Sequence, residues 1–163
     1  MGALVHRSIK VKYKAKALYN SNSIVPFLIE AKLLGGLILK SLGTQILLDL
    51  ENCNSDILDD IEFIKATLKK AATVAGATVI GETFHKFQPV GVTGVVSIAE
   101  SHICIHTWPE YSYASVDIFS CGDEFNLDMA SRIIEEGLES SDSFSKVLER
   151  GLRQGPADGG KDK

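Results

Sequence analysis

Four β-forming runs crowd into residues 78–120, and they constrain the fold more than anything else in the chain. Thr78 to Phe87 alternates apolar and polar residues, and Val92 to Ala99 is rich in β-branched side chains. Ile103 to Thr107 and Tyr113 to Ser120 follow. Turn-prone Gln88-Pro89-Val90-Gly91 separates the first two runs. Pro109, which has no N–H to give a sheet, separates the last two. An earlier strand is read at Gln45 to Leu50. After it, Asn54-Ser55-Asp56 offers helix caps to an apolar stripe at Ile57, Leu58, Ile61, Ile64, Leu68 and Ala72, which Gly76 ends. A second helix is expected from Leu127 to about Leu138, with Ile133, Ile134 and Leu138 inward and Glu135, Glu136 and Glu139 outward. The expected fold is α+β, a two-layer α/β sandwich with a mainly antiparallel sheet in strand-helix-strand-strand-strand-helix order.

Charge divides the chain near residue 40. Residues 1–40 carry seven bases against Glu30 alone, 7 − 1 = +6, and the remaining 10 bases and 20 acids give −10. The leader alternates apolar and basic residues from Ile9 to Lys16, a pattern that suits a one-sided strand, a disordered arm or a targeting segment. Residues 1–40 are therefore read as a basic N-terminal extension of unknown role, 41–150 as the folded domain and 151–163 as a disordered tail. A membrane partner is not expected, because Glu30 and Lys32 interrupt the most apolar stretch, Ile24 to Leu39. Three cysteines (Cys53, Cys104, Cys121), with no apolar h-region in the first twenty residues, fit reduced thiols in the cytoplasm.

Reactive side chains concentrate in Glu100-Ser101-His102-Ile103-Cys104-Ile105-His106-Thr107-Trp108-Pro109-Glu110, with Cys121 ending the next strand. Polar, ionisable groups inside apolar β-segments cost free energy unless partnered, so the cluster calls for an explanation. One reading is a solvated sheet face with Trp108 in a satellite core. Another is a tetrahedral zinc site of His102, Cys104, His106 and Cys121. Strand residues two apart stand roughly 7 Å from one another, too far for three ligands on one ion without a bulge. The third is nucleophilic chemistry at Ser101 assisted by a histidine. A hydrolase elbow is absent, since Gly91-Val92-Thr93-Gly94 carries threonine and leads into a strand.

Set in order, Phe84-His85-Lys86-Phe87, Gly91-Val92-Thr93-Gly94-Val95-Val96, Ala99-Glu100-Ser101-His102, Ile105-His106-Thr107-Trp108-Pro109-Glu110, Val116-Asp117 and Cys121-Gly122-Asp123 closely resemble the bacterial and archaeal S-adenosylmethionine decarboxylases. The likeness runs from about Ser41 to about residue 140, and residues 1–40 stand outside it. It implies a proenzyme that cleaves itself between Glu100 and Ser101. The Ser101 hydroxyl attacks the preceding carbonyl and takes the acyl group from nitrogen to oxygen. Elimination of that ester leaves dehydroalanine, which hydrolyses to a covalent pyruvoyl group with loss of ammonia. The pyruvoyl cofactor then forms a Schiff base with the substrate amine and accepts the electrons left by departing CO₂.

The resemblance also implies the remaining roles. His106 transfers protons during processing, as an imidazole does in both directions near neutral pH. Thr93 stands where the family generally has serine and keeps a hydroxyl for processing, with a β-branch that narrows its rotamers. Cys121 donates a proton to the substrate α-carbon in catalysis. Phe87 stacks on adenine and Glu110 holds the ribose hydroxyls. The implied partners are the small molecule S-adenosylmethionine and a second copy, giving a homodimer of cleaved α/β protomers for spermidine biosynthesis, without nucleic acid. Arginine or ornithine is the alternative substrate, and a non-enzymatic zinc module the remote alternative. Strict alternation puts Ser101 and His106 on opposite faces of a strand, so a turn or bulge is expected between them.

Overall fold

The computed structural model describes residues 33–34, 37–122 and 124–154. In chain order the strands are β1 (Leu33–Leu34), β2 (Leu37–Lys40), β3 (Gly43–Glu51), β4 (Val79–Lys86), β5 (Val92–Ile98), β6 (Ser101–Trp108), β7 (Tyr113–Ser120), β8 (Asp142–Arg150) and β9 (Arg153–Gln154). The helices are α1 (Ser55–Leu58), α2 (Ile61–Val74) and α3 (Leu127–Gly137), with a 3₁₀ turn at Pro109–Tyr111. Six strands form one sheet in the order β4-β5-β6-β7-β3-β8, and every neighbouring pair is antiparallel. The two-layer α+β architecture follows the sequence expectation.

Alternation explains the layering. Ile46, Leu48 and Leu50 of β3, Val92, Val96 and Ile98 of β5, Ile103 and Ile105 of β6, and Ala114, Val116 and Ile118 of β7 are all buried. They meet Ile64, Leu68, Ala71 and Ala72 of α2 and Ala130 and Ile134 of α3 in one cluster. Each buried valine, leucine or isoleucine side chain contributes about 1.5–3 kcal/mol, so this face holds the domain together. The opposite face carries no helix among the described residues, and its side chains are only half-buried or exposed.

Three expectations need correction. The single helix read from Ile57 to Ala72 is two helices. Asn54 caps α1 by accepting from the Asp56 N–H, and Asp60 starts a new helix by accepting from the Glu62 and Phe63 N–H groups. Two successive carboxylates at 59–60 favour capping over continuation. The strand order is also longer than expected: four strands, not three, separate α2 from α3, and β8 follows. Each of the four β-forming runs between the helices makes its own strand, and those on both sides of Pro109 reach eight residues. β8 pairs with β3 at all nine positions, but its residues are almost all exposed, so it lacks the buried alternation that marks a strand in sequence. Charged, polar edge strands of this kind resist edge-to-edge pairing. Finally, no bulge interrupts β6. Its register is one-to-one against β5 from Ser101 to His106 and against β7 from Ser101 to Trp108.

The boundaries read at 40 and 151 both cross a small second sheet, in which β2 pairs with β1 and β9. Residues 153–154 are thus strand, held by pairing with Leu39 and Lys40. The basic run from Ile9 to Lys16 and the tail from Gly155 lie outside the described residues. Among the described residues no helix is long and apolar enough to cross a membrane.

Candidate active site

The β5–β6 hairpin turns through Ala99 and Glu100, with Ile98 and Ser101 paired across it. Ser101 is the first residue of β6 and has φ 152°, a backbone conformation that side-chain-bearing residues rarely adopt. The turn is pinned from outside. Ala99 N–H donates to the Thr78 carbonyl at 2.8 Å, and the Glu100 carboxylate accepts from the Thr78 N–H at 3.2 Å.

The Glu100 carbonyl, which precedes Ser101, points at the end of β7. It accepts from the Cys121 N–H at 3.0 Å and from the Cys121 thiol at 3.2 Å. Gly122 makes this approach feasible, because a Cβ there would come within 2.9 Å of the Glu100 side chain. Gly122 N–H in turn donates to Ser120 Oγ at 3.0 Å, which fixes the chain around Cys121. Glu100, Ser101 and Cys121 therefore form one group. Two donors converge on a single carbonyl oxygen, the geometry that stabilises negative charge on that oxygen.

His106 and Thr93 form a second group at the far end of the same strands. They are opposed across β5 and β6, and Thr93 Oγ1 and His106 Nδ1 are hydrogen-bonded. The Trp108 ring lies 6.3 Å from His106 and 5.4 Å from Tyr113, at 38% exposure and outside any core. Tyr113 donates to Asp49 at 2.5 Å. Burial, with the Asp49 carboxylate beside it, pushes the Tyr113 hydroxyl up to about 12. Phe87 follows β4 on an exposed loop and meets His85 edge-on at 4.8 Å. Glu110 is exposed in the 3₁₀ turn.

The sequence-expected residues are thus divided. Five steps of uninterrupted strand lead from Ser101 to His106, about 16 Å at roughly 3.3 Å per step, and strand alternation points them to opposite faces. The zinc reading fails on the same geometry. Among the described residues no three His, Cys, Asp or Glu side chains are grouped to hold a metal. Cys104 instead faces Asp117 across β6 and β7, and burial, aided by that carboxylate, raises its thiol pKa. What sequence reasoning missed is the grip of Cys121 on the Glu100 carbonyl. The available signal was Gly122, a residue with no side chain placed directly after a strand and a cysteine.

The chain is similar to known proteins in sequence and in fold. A family model described as S-adenosylmethionine decarboxylase matches residues 44–151. The S-adenosylmethionine decarboxylase proenzyme of Thermodesulfovibrio yellowstonii is 46% identical over 112 residues, covering 69% of this chain and 83% of the relative. That of Pseudomonas paraeruginosa is 47% identical over 111 residues, covering 68% and 69%. The crystal structure of the adenosylmethionine decarboxylase from Aquifex aeolicus superposes with a TM-score of 0.68 at 39% identity, over 73% of this chain and 98% of that one. Sequence match and fold agree, and the chain belongs to the S-adenosylmethionine decarboxylase family.

Proposed function

We propose that the chain is a self-processing, pyruvoyl-dependent decarboxylase that releases CO₂ from S-adenosylmethionine and yields the aminopropyl donor for spermidine synthesis. The observation that carries this reading is the Glu100 carbonyl held by two donors of Cys121, immediately before a serine with a strained backbone. Attack by the Ser101 hydroxyl places negative charge on the Glu100 oxygen, where the Cys121 N–H and thiol already point. The unusual φ of Ser101 costs on the order of 1–3 kcal/mol, and cleavage of the bond before it relieves that cost. These residues fit the making of a pyruvoyl group from Ser101. When present, that group supplies an electrophilic carbonyl that accepts the electron pair released with CO₂. Cys121, next to it, is then placed to return a proton to the substrate α-carbon. Phe87 and Glu110 recognise adenine and ribose.

Proton transfer in processing needs a base near Ser101, and His106 of the same chain stands about 16 Å along the strand. With Nδ1 engaged by Thr93, Nε2 is the nitrogen free to move a proton. The reading therefore includes a homodimer in which each copy's His106 and Thr93 serve the other copy's Ser101. Among the described residues no helix covers the sheet face that bears His106, which leaves room for that partner. Three free cysteines suit a reducing, cytoplasmic setting.

Intact mass of the denatured protein tests the first step. Two fragments, 1–100 and 101–163, with pyruvoyl opening the second, are expected; a chain that stays uncut overturns the proposal. Release of CO₂ from S-adenosylmethionine rather than from arginine or ornithine tests the substrate. Co-expression of Ser101→Ala with His106→Ala chains tests the shared site. Each variant alone should remain uncut, and together about half of the His106→Ala chains should cleave if dimers mix at random. No cleavage in well-folded mixed dimers would place both residues in one copy's site.

A further inference from the structure

Phe87 is 47% exposed and belongs to no core, so packing does not fix where its ring sits. Its backbone must do so. Phe87 N–H donates to the Gly91 carbonyl at 2.8 Å, closing the loop 87–91 on itself. Gly91 has φ +105°, and a Cβ there would lie 2.9 Å from the Thr107 carbonyl, so the loop is drawn tightly against β6.

Both ends of this loop are tied to one residue of another element. Asp59, at the end of α1, accepts the Gly91 N–H on Oδ1 at 2.9 Å. Its Oδ2 lies 2.9 Å from Lys86 Nζ, and its backbone carbonyl accepts from the same ammonium at 2.8 Å. Lys86 immediately precedes Phe87. The neighbouring Leu58 carbonyl accepts from Thr107 Oγ1 at 2.8 Å, and that oxygen accepts the Val92 N–H at 2.8 Å. Residues 58–59 thus anchor the backbone on either side of Phe87, from the wall of an open cleft of about 560 Å³ that Asp59, Asp60, Lys86 and Val90 help to line. The interaction with Lys86, then that with the Gly91 N–H, holds the Asp59 carboxyl below its ordinary pKa.

We propose that Asp59 is a positioning residue for substrate recognition: through Lys86 and Gly91 it sets the loop that presents Phe87 to the adenine ring. It rests on the assignment of Phe87 to adenine above. Asp59 lies away from Glu100, Ser101 and Cys121 and shares no hydrogen bond with them, so its effect falls on binding and leaves processing alone.

The test uses the self-cleaved protein with S-adenosylmethionine. Asp59→Ala removes both anchors and should raise KM about tenfold, the scale of a lost hydrogen bond to a charged group. Asp59→Asn keeps an acceptor for the Gly91 N–H but not the charge, and should raise KM about threefold. Both should cleave as fully as the parent chain and keep kcat within about twofold. In a Phe87→Ala background, Asp59→Ala should add less than twofold to KM, because the ring it positions is gone. An unchanged KM in a folded Asp59→Ala protein overturns the proposal, as does an equal loss of cleavage and kcat at constant KM. So does full additivity with Phe87→Ala. Should Asp59→Ala fail to fold, Asp59→Asn and Lys86→Met carry the same test. If the parent chain cleaves but ignores S-adenosylmethionine, the functional reading fails instead, which is a separate outcome.

Discussion

One strand serves two environments. On β6, Ile103, Ile105 and Thr107 point to the helices and are buried, whereas His102, Cys104, His106 and Trp108 point to the uncovered face. The same division runs through β5 and β7, where Val96 and Val116 lie inside while Thr93 and Asp117 lie on the open side. Adjacent residues, one peptide apart, therefore answer to different demands. The covered face must exclude water and contributes stability in proportion to the apolar area removed from it. The open face keeps polar groups hydrated or paired with one another, at little cost, until something covers them. A sheet with one covered face can in this way hold a reactive surface rigid without burying it.

The sharpest way to break that contrast is His106→Ala. On the open face it should leave the urea midpoint nearly unchanged, within about 0.5 kcal/mol of unfolding free energy. Self-cleavage should slow by about 10²–10⁴-fold, the usual range for loss of a proton-transfer group. Mass spectrometry of the chain over time, alongside urea unfolding, reads both quantities. A large loss of stability would mean that this histidine belongs to the structural side of the sheet.

Its neighbour makes the converse case. Ile105→Ala, one residue away and fully buried, should lose about 2–5 kcal/mol of stability through lost transfer energy and the cavity left behind. The fraction that stays folded should cleave at a rate within severalfold of the parent, because the Ile105 side chain lies on the covered face and not on the face that bears Thr93 and His106. Urea unfolding and cleavage kinetics at a temperature below the transition separate the two effects. A folded Ile105→Ala protein that cleaves a hundredfold more slowly would erase the distinction between the faces.

How far the sequence revealed this arrangement depended on which signal each region carries. The core strands and α3 were legible because their apolar residues repeat with the period of their geometry. β8 was not, because an exposed edge strand has no buried side to alternate with. The break between α1 and α2 was hidden by an apolar stripe that continues across it, from Leu58 to Ile61 and Ile64. Glu100, Ser101 and Cys121 were named through a family likeness, and the Cys121 contact that unites them is a tertiary one between two turns. The distance between Ser101 and His106 was legible all along. Five residues of regular strand cannot bring their ends together, and the bulge expected to do so is absent. The second copy proposed above would supply the missing neighbour, and no pattern within one chain displays it.

The smallest effect expected concerns the titration of the open face. Tyr113 there donates to Asp49, and its pKa is raised from about 10 to about 12, first by burial and then by the carboxylate it serves. A raised folded pKa means that the native state holds this proton more tightly than the unfolded chain does. The associated stability is fully present below about pH 10 and is lost as the pH climbs through about 12. Tyr113→Phe removes the donor, leaves Asp49 without that partner, and should cost about 1 kcal/mol at neutral pH, an amount limited by the partial exposure of the pair. The gap between parent and variant should then shrink as the pH is raised from 9 to 12, because only the parent has a proton to lose. Paired urea unfolding at several pH values reads that gap directly, and lysine titration, common to both proteins, cancels in the difference. Ile105→Ala supplies the contrast from the covered face: it removes neither an ionisable nor a hydrogen-bonding group, so its deficit should stay constant over the same range. A Tyr113→Phe gap that also stayed constant would mean that the Tyr113 hydroxyl contributes as packing on the open face, not as a proton donor to Asp49.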